Sequence, residues 1–128
     1  MARQLHTQQV HYYRKAFALL DLPTGVEVDI ATLPAGSIIQ DAYVVVTTAF
    51  NSSVSDLLDM GTNADPNGFM SAVSVASAGK KSADDLATSD DLYSANEVTV
   101  SLTRTESGTA ATAGALIAVI LFIPNNDA

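Results

Sequence analysis

The chain has neither cysteine nor tryptophan in its 128 residues. Without thiols it can build no disulfide framework and no thiolate metal site, which suits assembly in a reducing cytoplasm. Charge is scarce as well. Asp, Glu, Lys and Arg make up 16% of the sequence, against about 25% in ordinary soluble domains. A surface this poor in charge implies that another subunit covers part of it. The longest apolar stretch, 110–123, is about fourteen residues long and is closed by Pro124. A spanning helix needs roughly twenty such residues, so the stretch reads as a buried strand and no membrane contact is expected. The polar, basic start MARQLHTQQVHYYRK is not followed by an apolar run, so no secretory signal is read there.

The charge that is present is unevenly distributed. Three of the six basic residues, Arg3, Arg14 and Lys15, lie in the first fifteen positions, which hold no acid. The rest of the chain carries the other three bases against all fourteen acids. An acidic body repels phosphates, so nucleic acid is excluded as its partner. The sequence therefore divides into a basic arm, 1–15, and a single domain, 16–128, with the arm suited to reach an acidic neighbour. Within 10–20, VHYYRKAFALL has the aromatic and apolar content of a strand.

Turn chemistry punctuates the remainder. Leu33-Pro34-Ala35-Gly36 leads into 38–49, which is β-branched or aromatic at most positions from Tyr43 to Thr48. Asp65-Pro66-Asn67-Gly68 forms a second turn signal, with Gly68 expected to supply conformational freedom at the exit. Val26–Ile30 alternates apolar with acidic residues, and 97–105 alternates with Val98, Val100 and Leu102 inward. In 54–60, Asp56 shares a face with Leu58 and Met60. Residues 69–76 suit either a short helix or a strand, and 77–95 is the least structured segment. The closing stretch 114–123 is apolar on both faces, which points to a sheet interior or a subunit contact. Seven or eight strands at this spacing predict an all-β, single-domain β-sandwich, jelly-roll-like, with an extended N-terminal arm. Val45, Val98, Val100, Leu102, Ile120 and Phe122 are its expected core.

No catalytic constellation stands out. The pairs Asp84-Asp85 and Asp90-Asp91 could gather a calcium ion, but the loop lacks a glycine where an EF-type site needs one, and a solvated acidic loop is expected. His6 and His11 have no nearby carboxylate to orient an imidazole. Asp41 and Glu97 would serve a sugar hydrolase only if the fold set them across a cleft. No serine lies in a nucleophile elbow, and no glycine run could cradle a phosphate. The expectation is a protein without enzymatic activity, metal or cofactor. Its candidate partner-binding residues are Arg3, Tyr12, Tyr13, Arg14, Lys15 and Phe17, cations interleaved with aromatic anchors.

The order LPAGSIIQDAYVVVTTAFN, then DMGTNADPNGFM, then AVSVASAG, with a late TAGALIAVILFI, resembles small head proteins of tailed bacteriophages. The likeness covers roughly 24–79 and 97–123 and is one of turns and strands. It implies a capsid cement or decoration protein that clamps neighbouring major capsid subunits. It further implies self-association as a dimer or trimer, and a place on the capsid surface of a virion assembled in the host cytoplasm. The segment 82–94 and the arm depart from the pattern. A receptor- or carbohydrate-binding β-module of a tail fibre or baseplate is the alternative, and aromatic residues clustered in loops would favour it.

Overall fold

The turn and strand signals resolve into eight strands in the computed structural model, which describes residues 9–125. They are β1 (His11–Ala18), β2 (Glu27–Leu33), β3 (Ile38–Thr48), β4 (Ser55–Thr62), β5 (Met70–Ser74), β6 (Gly79–Ser82), β7 (Val98–Ser107) and β8 (Ala115–Ile123). Two four-stranded sheets result, with orders β1-β8-β3-β6 and β2-β7-β4-β5. Every pairing is antiparallel. This order is that of an eight-stranded jelly roll, as the sequence predicts. The described residues contain two short 3-10 turns, Leu19–Asp21 and Leu86–Thr88, and no α-helix.

Alternation explains most of the core. On β8, Leu116, Ala118, Ile120 and Phe122 are buried between the sheets. Val100 and Leu102 of β7, and Leu58 and Met60 of β4, meet them from the opposite sheet. β3 departs from the simple pattern. Its register against β8 shifts between Ile39 and Asp41, so Gln40 is an extra residue on the strand. A one-residue insertion moves every later side chain to the other face. Ile39 is therefore inward, and so are Ala42, Val44 and Val46. Val45, expected in the core, faces outward and is half-exposed. Val98 also departs from expectation: at the start of β7 it is half-buried against the edge of the core.

Both predicted turns form, for partly different reasons. The Ser37 amide donates to the Pro34 carbonyl at 3.2 Å, and Gly36 takes φ +80°, a conformation that glycine adopts without a Cβ clash. The Gly68 amide donates to the Asp65 carbonyl at 3.1 Å, yet Gly68 is not among the positive-φ residues. Its requirement is space, because a Cβ there would lie 2.6 Å from an Asp65 carboxylate oxygen and 3.3 Å from one of Asp91. The ambiguous 69–76 stretch is a strand, β5, hydrogen-bonded to β4.

Candidate functional site

The two sheets present opposite kinds of outer surface. On the β2-β7-β4-β5 sheet the outward residues are mostly polar, with Leu57 of β4 the apolar exception. Thr32 and Thr99 face one another with their hydroxyls 3.0 Å apart, and the Ser101 hydroxyl donates to Glu27 at 2.6 Å. A solvated antiparallel sheet normally looks like this. The outer face of the β1-β8-β3-β6 sheet does not. Ile117, Val119 and Leu121 run down its centre on β8. Register sets Arg14 of β1 and Tyr43 of β3 on either side of Val119, and Tyr12 beside Leu121. With Val45 they line a shallow depression of about 400 Å³.

Its rim is basic. β1 and β6 are the edge strands of this sheet. Each sets one cation on this face, Arg14 of β1 and Lys80 of β6, while Lys15 and Lys81 stand on the opposite parity. The Lys80 ammonium lies 4.5 Å from the Tyr43 ring centroid. Among the described residues Arg104 makes the only salt bridges, so Arg14 and Lys80 stand at the rim without a carboxylate of their own. Lysines on edge strands also discourage stray strand pairing, which accounts for cations at the edges but not for an apolar face between them.

The sequence-predicted contact residues separate by strand parity. Tyr12, 68% exposed, and Arg14 are on the outer face. Tyr13 points the other way and stacks on Phe122 with ring centroids 5.3 Å apart. Lys15 donates to the Asp29 carbonyl at 3.1 Å and lies 5.2 Å from the Phe17 ring centroid. Phe17 is 3% exposed and belongs to the core, so it packs between the sheets and does not reach a partner. Arg3 and His6 lie outside the described residues. β1 begins at His11, so the last five residues of the expected arm are part of a sheet, and the 15/16 boundary falls within a strand. Val45, Lys80 and Ile117 were missed as contact candidates. The two-sided apolar character of β8 was the available signal.

Among the described residues no group of three or more His, Asp or Glu side chains converges. Asp41 sits on β3 with its carboxylate accepting from the Ala42 amide at 2.8 Å. Glu97 instead lines a polar cavity of about 390 Å³ with Asp91, Tyr93 and Asn63, so the two carboxylates belong to different sites. The Asp91 carboxyl is raised above 3.8 by burial, then by the charge and hydrogen bond of Asp65, then by the charge of Asp90. Above that raised value the folded chain holds two crowded carboxylates that the unfolded chain keeps apart. Stability from this group therefore falls as pH rises through the interval starting at 3.8, and the loss persists at neutral pH. Asp91→Asn is expected to raise the urea midpoint at pH 7 but not at pH 3. An equal rise at both values would contradict the assignment.

A charged cluster that sequence reading did not single out lies at one end of the sandwich. Arg104 of β7 is 3% exposed and Asp56 of β4 is fully buried. The Arg104 guanidinium donates to Asp56 at 2.8 Å and lies 2.9 Å from Glu106. Its Nε donates to the Leu22 carbonyl at 3.0 Å. Both side chains stand on inward parities of their strands, which was the signal. Its polar atoms are all satisfied, since the described residues leave no buried side-chain polar atom unpaired.

No protein-family profile matches the sequence, and no curated protein matches it. Solved structures do. A chain in the capsid asymmetric unit of cyanophage Pam1 superposes with a TM-score of 0.64 at 14% identity, over 92% of this chain and 85% of that one. A chain of the acid-stable capsid of Helicobacter pylori bacteriophage KHP30 gives 0.65 at 14% identity, over 93% and 92%. A chain of the Ralstonia phage GP4 capsid gives 0.60 at 18%, over 91% and 85%. At these identities the likeness is one of architecture: the chain is a jelly roll of the kind built into phage capsids.

Proposed function

We propose that the chain is a non-catalytic structural protein of a phage virion, a cement or decoration protein that clamps neighbouring major capsid subunits from the capsid surface. The observation that carries this reading is the apolar outer sheet face, which no described residue covers, in a fold shared with phage capsid chains. An isolated monomer gains nothing from such a face, whereas a protein seated on a shell buries it. Self-association as a dimer or trimer is part of the same proposal, since a capsid offers symmetry axes at which copies meet. The basic residues of 1–15, Arg3 included, would add contacts worth about 0.2–1 kcal/mol each at a wet rim. Repetition over a whole shell makes such small terms decisive.

The test is reconstitution. Purified protein added to shells that lack it should bind in a fixed number of copies per shell, and should raise the temperature at which the shells rupture. Shells that neither bind the protein nor gain heat resistance would sink the proposal.

A further inference from the structure

The outer face of the β1-β8-β3-β6 sheet has a particular electrostatic demand. Its centre is apolar, with Ile117, Val119 and Leu121 in line, and its two rims are cationic. The chain as a whole carries a net charge of −8, so this basic frame runs against the rest of the molecule. Asp41 is the acid beside the face, and its carboxylate is already engaged by its own backbone.

Two occupants can be compared on that basis. A second copy laid face to face would bring another Arg14 and Lys80 onto the same patch, with only Asp41 from each side as counter-charge. Like charges held together at the edge of a desolvated contact oppose association. Turning the second copy over offers its other sheet, whose outer surface is rich in threonine and serine and sets only Leu57 of β4 against the whole stripe of Ile117, Val119 and Leu121. Neither arrangement satisfies both the apolar centre and the basic rims.

We infer that this face docks a protein surface of a different kind, an apolar strip flanked by carboxylates on both sides, with Arg14 and Lys80 meeting the acids and the β8 stripe covered by the strip. On the reading proposed above, that surface belongs to a subunit of the shell, and the inference rests on that reading for the identity of the partner. The apolar centre supplies the buried area, while the paired cations fix orientation and exclude basic or self-similar surfaces.

The experiment uses the full chain and empty shells. Arg14→Glu combined with Lys80→Glu changes exposed side chains only, so the variant should keep its far-ultraviolet spectrum and melting temperature. It is expected to bind shells at least about tenfold more weakly than the parent. Raising salt from about 0.05 to about 0.5 M should weaken the parent and, by screening the repulsion between the new glutamates and the partner's carboxylates, strengthen the variant's residual binding. A second variant, Val119→Thr with Ile117→Thr, keeps strand-forming residues and should also lose affinity, without changing the salt dependence. If the parent binds and the charge-reversed variant binds equally well, the docking inference fails and the cement reading stands. If the parent does not bind at all, both fall. Should sedimentation give a stable oligomer for the parent and a monomer for the threonine variant, a second copy is the occupant and the inference is overturned.

Discussion

Replacing Asp56 with alanine is expected to lower the unfolding free energy by about 3–5 kcal/mol, because it leaves the Arg104 guanidinium buried without its main counter-charge. Glu106, 2.9 Å from the same guanidinium nitrogen, would compensate only in part, because Asp56 holds more than the arginine. Asp56 accepts from Arg104, from the Ser52 hydroxyl and from the Ser52 amide, each at 2.8 Å. Arg104 also holds the Leu22 carbonyl and lies 5.3 Å from the Phe50 ring centroid. Four separate pieces of chain, β7, β4, the loop at Leu22 and the loop at Ser52, are thus tied through one ion pair. The triple variant Asp56→Leu, Arg104→Met and Glu106→Gln removes all the charges of the cluster and should recover much of the loss, since well-packed apolar groups often replace a buried pair at small cost. Urea melts of the three proteins would decide the matter. A loss below about 1 kcal/mol for Asp56→Ala would mean that water reaches the pair.

Phe122→Ala should cost a similar amount, about 3–5 kcal/mol, by loss of buried area and by the cavity left behind. Phe122 is 4% exposed. It lies opposite His11 on one side of β8 and Ile39 on the other, and its ring is covered by Tyr13 and His11. The substitution therefore loosens the junction of three strands at once. A change of less than about 1 kcal/mol in a denaturant melt would show that this end of the sheet contributes little to the cooperative unit.

Much of this architecture can be read from local chemistry. Residues 27–30 and 98–105 announce their faces by alternation, although Val26, expected inward, precedes β2 and is exposed, and Pro34 through Gly36 and Asp65 through Gly68 announce their turns. Three features could not be read that way. The face of Val45 depends on the extra residue at Gln40, which is visible only once β3 is aligned with β8. β6, the sequence Gly-Lys-Lys-Ser, has no apolar residue to mark it, and exists as a strand because β3 offers it an edge. The Arg104–Asp56 pair joins residues 48 positions apart, so their partnership is a property of the topology. The candidate face was half legible: the two-sided apolar β8 signalled it, but assigning Tyr12 and Arg14 to that face, and Tyr13 and Lys15 to the other, required the register. Phe17 looked like an anchor among aromatic neighbours and proved to be core because of the same parity.

The place of β8 in its sheet also governs when the molecule can form. It lies between β1 and β3, yet it follows every other strand in the chain. During synthesis the first and third strands emerge long before the element that must join them, and β1 has no other partner in the sheet. One half of the sandwich therefore stays unassembled until β8 has left the ribosome, and contacts closing across such long separations form slowly. The exposed β-rich intermediate is the species most prone to stray association. A chain stalled before residue 115 would be expected to need a holding chaperone, and release of β8 is the event that turns a sticky polypeptide into a closed sandwich.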